Sequence, residues 1–174
     1  HQNPYKFLYA YDVQDKDIYF GREKASAKLI QSIQKDRLTI LHANSGAGKT
    51  SIINAGISFE LIQNGQLPIY ARAYRDPLNS IKQAICSHML GPWPDILDDL
   101  GLQEFLGLVC AHLSRKTKEI IIIFDQFEEY YIFWPDKNYR EPFLQEVSSC
   151  YFDEMLPLRF LISIRKDYYS DLAD

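Results

Sequence analysis

Cysteine is scarce. Cys86, Cys110 and Cys150 are odd in number, widely spaced and form no Cys-x-x-Cys pair. That excludes a disulfide framework and offers no zinc-binding spacing, so they read as free thiols in a reducing compartment, which predicts a cytoplasmic location. The histidines His1, His42, His88 and His112 are equally scattered, and His88 and His112 fit helix surfaces or helix packing better than a metal site. Long hydrophobic runs are missing too. The longest purely apolar stretch, residues 120–124, is strand length, so neither a membrane span nor a signal peptide is expected. Positive charge is not in excess: 19 Lys and Arg against 23 Asp and Glu leave a net charge of −4, which argues against a broad nucleic-acid surface. No internal repeat or low-complexity segment is present. The chain opens on His1 rather than Met, which suggests a piece of a longer protein. What remains is 174 residues, 47% hydrophobic and 24% charged, with 12 Tyr and 10 Phe. That suits one compact domain with a sizeable core.

Glycine is also sparse, 8 in all, yet two of them crowd into ANSGAGKT, residues 43–50. An apolar run, Leu38-Thr39-Ile40-Leu41, precedes this stretch and an apolar helix-like segment follows it. Strand, Gly-rich turn, lysine, hydroxyl and helix form the layout of a P-loop. Its chemistry is anion capture: main-chain N–H groups of Asn44, Ser45, Gly46, Ala47, Gly48, Lys49, Thr50 and Ser51 would surround phosphate oxygens, aided by the helix dipole. Lys49 would reach the β- and γ-phosphates of a nucleotide, and the Thr50 hydroxyl would ligate Mg²⁺. Ala43 stands where the strict pattern has glycine, which is tolerable if φ there is negative. A Gly-Lys-Thr tripeptide alone is weak, and an exposed lysine in a strand-to-helix turn is the plain alternative.

The flanking pattern supplies the context. Residues 1–21 read as an extended aromatic arm ending at the apolar and Gly positions of an apolar-Gly-Arg motif, and residues 22–174, from Arg22 on, as a single core. An amphipathic helix is expected over residues 22–36, from Ala25, Leu29, Ile30 and Ile33. Strands are expected over 38–42, 67–74, 119–124 and 158–164. Helices are expected over 49–63, 76–90, 102–116, 127–133 and 142–155, with a loop at Gly91-Pro92-Trp93-Pro94. The run EIIIIF at residues 119–124 is apolar on both faces, as a central parallel strand covered by helices would be. Alternating strands and helices predict an α/β fold: a three-layer P-loop sandwich with a mostly parallel central sheet. Ligands bind such sheets at the carboxyl ends of the strands. The P-loop, Asp125 and Arg165 all follow strands directly, so all would meet at that edge.

Asp125 closes a hydrophobic strand, as a carboxylate that holds Mg²⁺ through water beside Thr50 would. It also suits a helix N-cap. Glu128, or alternatively Glu129, can polarise an attacking water as general base, or simply place favourable charge in a first helical turn. Glu128 is the preferred candidate. Arg165 can sense or stabilise a γ-phosphate, or pair with Asp167 or Asp171 at the surface. Arg22 borders the nucleotide pocket or starts a helix. Arg72 and Arg75 flank the end of the second strand and could face the phosphates, although strand-end arginines are more simply solvated. The aromatics Tyr130, Tyr131, Phe133 and Trp134 lack interleaved basic residues, so core packing suits them better than base stacking.

Taken together, these residues resemble the STAND class of P-loop NTPases, in particular the bacterial novel STAND NTPase domain. The resemblance runs nearly end to end, through PYKFLYAYDVQDKDIYFGRE, NSGAGKTSIINAGI, YRDPLNSI, IIIIFDQFEEYY and RFLISIRKDYYSDL. It implies that Asp125 is the Mg²⁺-associated acid, Glu128 the catalytic acid, Arg165 a sensor of the γ-phosphate and Gly21-Arg22 part of the motif that opens the domain near the nucleotide. It further implies a switch domain that binds ATP or ADP and hydrolyses slowly, within multidomain proteins of signalling or antiphage defence that oligomerise when released. The C-terminal lid and winged-helix regions of such proteins are expected to lie beyond this stretch, so partners would include other domains of the same longer chain. The alternative function is an AAA+ ATPase of the DNA-replication or transposition-helper kind, which would need a basic DNA-binding module. No Asn-Lys-x-Asp motif points to a GTPase, and no acceptor site points to a nucleoside kinase.

Overall fold

At the centre of the molecule lies β3 (Glu119–Phe124), whose isoleucines, Ile120 to Ile123, are all fully buried. Each is worth roughly 1.5–3 kcal/mol of apolar burial. The computed structural model describes residues 23–88, 99–113 and 117–173. The aromatic arm, Gly21-Arg22, Met89, Leu90 and the Gly-Pro-Trp-Pro loop lie outside the described residues.

Around β3 stand β1 (Leu38–Ala43), β2 (Gln66–Ala71) and β4 (Leu158–Arg165), in the order β1-β4-β3-β2. All three pairings are parallel, with Ile40 beside Ile162, Phe124 beside Ile162, and Ile69 beside Ile122. The period-2 alternation of β3 divides the core. Ile121 and Ile123 join Leu29, Ile30, Ile33, Ile53 and Leu61 on one face, while Ile120, Ile122 and Phe124 join Ile81, Phe105, Val109 and Phe143 on the other. The first face is covered by α1 (Glu23–Lys35) and by the helical segment after the P-loop. The second is covered by α4 (Pro77–His88), α5 (Leu102–Ala111), α6 (Glu128–Phe133) and α7 (Lys137–Phe152). The expected three-layer α/β sandwich with a parallel sheet is the fold observed. Among the described residues no helix is long and apolar enough to cross a membrane.

Several local readings change. The helix expected over 49–63 is one α turn, α2 (Lys49–Ser51), then a π-helical stretch Ile52–Ile57, then α3 (Ser58–Gln63). The Ser58 hydroxyl donates to Ile53 O at 2.8 Å and also meets the Tyr70 hydroxyl. Gly56 lies in the π stretch. A Cβ there would sit 2.6 Å from Ser26 Oγ, so Ser26, rather than the expected Ala25, is the buried residue of α1 at this crossing. Ala25 faces solvent.

The strand expected over 67–74 ends at Ala71, because Arg72 turns its N–H to the Ser80 hydroxyl at 2.9 Å. Asp76 Oδ1 accepts the Asn79 N–H at 3.1 Å, an N-cap with Pro77 in the first turn of α4. α5 stops at Ala111, and His112 Nδ1 meets Leu108 O at 2.7 Å. The largest shift is in α7. It begins at Lys137, well before Pro142, because Asp136 Oδ1 accepts the Asn138 N–H at 2.9 Å and caps the helix there. Pro142 is carried inside the helix rather than starting it.

Candidate nucleotide-binding site

The loop between β1 and α2 turns on two glycines in the left-handed region, Gly46 at φ 73° and Gly48 at φ 78°. An L-residue would be strained at either position. Ala43 is not among the positive-φ residues, so alanine serves there without strain. The Ala47 N–H closes the turn on Asn44 O at 3.2 Å, and the Ile52 N–H reaches Gly48 O at 3.0 Å, starting the helix. Asn44, Ser45, Gly46 and Ala47 are exposed, and a Cβ on Gly46 would meet nothing within 4 Å. The loop is thus an open cradle of main-chain donors. Lys49 Nζ donates to Ala43 O at 3.3 Å, folding the side chain back over it.

Across the loop, Thr50 Oγ1 donates to Asp125 Oδ2 at 2.5 Å. Asp125 Oδ1 takes the N–H of Gln126, at 3.0 Å. Gln126 is the one non-glycine residue with positive φ among the described residues, at 57°. Strain of that kind is held where surrounding contacts over-determine it. Here the next residue is pinned on both counts: the Phe127 N–H donates to Ser163 O at 2.8 Å and its ring packs 5.6 Å from Phe124. The turn then delivers Glu128 to β4. Glu128 is buried, and its Oε2 accepts the Arg165 main-chain N–H at 3.1 Å. Glu129, in the same helical turn, is half-buried.

The Arg165 side chain goes elsewhere. Its Nε and Nη2 donate to the two carboxylate oxygens of Asp167, at 3.1 and 2.5 Å, and its guanidinium lies 5.3 Å from the Tyr168 ring centre. The hydrogen bonds from Arg165 hold the Asp167 carboxyl below its ordinary pKa, and Lys49 adds to that pull. Arg165 is raised in turn, first by its bond to Asp167. The segment bearing Asp167 is a 3₁₀ helix, Lys166–Ala173, and it is held to the end of β1 by His42 and Tyr169, whose rings lie 4.4 Å apart.

The structure therefore gathers the loop, Lys49, Thr50, Asp125, Glu128 and Arg165 at one sheet edge. Arg22 lies outside the described residues. Arg75 does not join the group: its guanidinium stacks 5.6 Å from the Tyr74 ring and 5.9 Å from Phe133. Tyr130 and Tyr131 are core residues, with the Tyr130 hydroxyl donating to Arg140 O at 2.9 Å. Two features were missed in the sequence. One is the left-handed turn at Gln126. The other is Ser163, fully buried with no partner for its hydroxyl, whose carbonyl anchors the acidic turn. Ser163 is the one uncharged polar residue in LRFLISIR, which was the available signal.

An oxygen pair from a hydroxyl and a carboxylate is a donor set suited to Mg²⁺, which keeps waters and takes its remaining ligands from phosphate. With the donor cradle and the lysine beside it, fold and site define a P-loop NTPase, a nucleotide-binding domain. The sequence profile described as Novel STAND NTPase 1 matches residues 4–174, and the chain belongs to that family. Among solved structures it is similar to the Aeropyrum pernix ORC2 protein in its ADP form, at 15% identity and a TM-score of 0.52, over 82% of this chain and 40% of that one. It is also similar to the same protein in ADPNP–ADP complexes, at 14% identity and a TM-score of 0.54, over 89% of this chain and 41% of that one. At that identity the likeness is one of fold, and the chain spans about two fifths of those relatives. No curated protein matches.

Proposed function

We propose that this chain is the nucleotide switch of a larger STAND protein, binding Mg·ATP or Mg·ADP at the P-loop and hydrolysing ATP slowly to ADP and phosphate. The observation that carries the reading is the 2.5 Å contact of Thr50 with Asp125 beside the folded-back Lys49. In it the main-chain donors of residues 44–51 bind the phosphates, and Lys49 leaves Ala43 O for the β- and γ-phosphate oxygens. Thr50 and Asp125 would hold Mg²⁺, which supplies charge neutralisation of the phosphates when bound. Glu128 takes the proton from an in-line water through the oxygen left by its bond to Arg165 N–H, and Arg165 meets the charge on the γ-phosphate. The ADP and ADPNP forms of the ORC2 protein support an adenine nucleotide.

The switch would act on other domains of a longer cytoplasmic chain, with self-assembly as its output in signalling or antiphage defence. ATP should raise the melting temperature by mass action, with a hundredfold excess over Kd worth about 2.7 kcal/mol. A larger shift with GTP would overturn the base preference. The fold likeness to ORC2 also favours a second reading, an AAA+ ATPase of the DNA-replication kind. The net charge of −4 weighs against it. Duplex DNA binding by this chain near physiological salt would favour it.

A further inference from the structure

Resting on that nucleotide reading, we propose that Asp167 is a positioning residue for Arg165. It holds the guanidinium through both of its carboxylate oxygens, so a γ-phosphate must displace this carboxylate to recruit Arg165, and Asp167 thereby sets how far the site prefers triphosphate over diphosphate.

The main chain of Arg165 is not free to move. It ends β4, pairs with Ala43 of β1 in register, and gives its N–H to the buried Glu128. Only the side chain can be redirected. That side chain is 38% exposed and is held by a carboxylate that is 57% exposed, through two parallel hydrogen bonds. Asp167 is fixed in its turn. The 3₁₀ helix that carries it packs on β1 and β4, and Tyr169 of that helix lies against His42, next to the residue where the loop begins. The carboxylate therefore stands at the same edge as the loop, bonded to Arg165. A phosphate presents more charge and more acceptor oxygens to a guanidinium than a carboxylate does. An exposed pair is weak, so exchange costs little and the effect of Asp167 is at most about fivefold in affinity.

The test is calorimetric titration of ATP and ADP, each with Mg²⁺, into the wild-type chain, Asp167→Asn, Arg165→Ala and the double variant. Asp167→Asn should tighten ATP about three- to fivefold and leave ADP nearly unchanged. Arg165→Ala should reduce the preference for ATP, and adding Asp167→Asn to it should change nothing further. A residue that merely supports the 3₁₀ helix would move both nucleotides together, or act equally without Arg165, and either result overturns the proposal. Asp167→Ser repeats the test in a second exposed, uncharged form. A wild-type chain that binds neither nucleotide would instead overturn the nucleotide reading, and this proposal with it.

Discussion

The hydroxyl of Thr50 donates to the carboxylate of Asp125 across 2.5 Å, joining residues 75 positions apart in the chain. One comes from α2, after β1, the other directly follows β3, and β4 lies between those strands. In the proposed site Thr50 and Asp125 would hold Mg²⁺, which would neutralise phosphate charge. Asp125→Asn preserves shape and removes charge. With Asp125 acting on Mg²⁺ through water, the change should lower the Mg²⁺-dependent part of ATP affinity by about 10–100-fold, the range for groups in a metal's outer shell. Titrations with and without Mg²⁺ check this. An undiminished Mg²⁺ effect would remove Asp125 from the site.

Glu128 is buried and accepts the Arg165 N–H, which fixes its direction before any substrate arrives. Glu128→Gln keeps an acceptor for that N–H. Nucleotide binding should therefore survive, while phosphate release by the full-length protein falls about 10²–10⁴-fold. If Glu129→Gln alone has that effect, the base is Glu129.

Gly56 is where α1 crosses the π-helical stretch, with Ser26 Oγ 2.6 Å and Ile52 Cγ1 3.1 Å from the position of a Cβ. Gly56→Val should cost about 1–3 kcal/mol through overpacking, read from urea unfolding. Stability equal to wild type would mean that this crossing is loosely packed.

Alkaline pH should unfold the chain for an identifiable reason. Burial pushes the Cys150 thiol from 9.0 up to about 12, and burial raises Tyr130 above its ordinary 10.0 as well. Both groups hold their protons longer when folded. The unfolded chain therefore binds fewer protons above pH 9, and stability falls as pH rises from there toward the folded-state values. The thiol contributes at most about 1.4 kcal/mol per pH unit in that window. Cys150→Ala should make the decline between pH 9 and 11 shallower, and an unchanged slope would show that Cys150 plays no part.

The sheet and the loop were legible because their signals are local. EIIIIF has no polar residue between its first position and its end, so only a strand covered on both faces suits it. ANSGAGKT places glycines at the two positions that need positive φ. The acidic turn was legible in composition but not in conformation, since nothing in Asp-Gln-Phe specifies that Gln126 adopts φ 57°. That conformation is imposed from a distance by Ser163 O and by the Phe127 pocket. The start of α7 was misplaced because Pro142 is a strong local signal, and the Asp136 cap, a tertiary-independent but quieter one, outweighs it. The Arg165–Asp167 pair stood in the sequence as one of two alternatives, and only the 3₁₀ geometry selects it.

The central claim is that the loop of residues 43–50 holds the phosphates of a nucleotide and that Lys49 is required for it. Isothermal titration of Mg·ATP into the wild-type chain and Lys49→Ala tests it most directly. The wild type should bind saturably and Lys49→Ala should show no measurable heat of binding, with both proteins folded by circular dichroism. Equal binding by the two would contradict it.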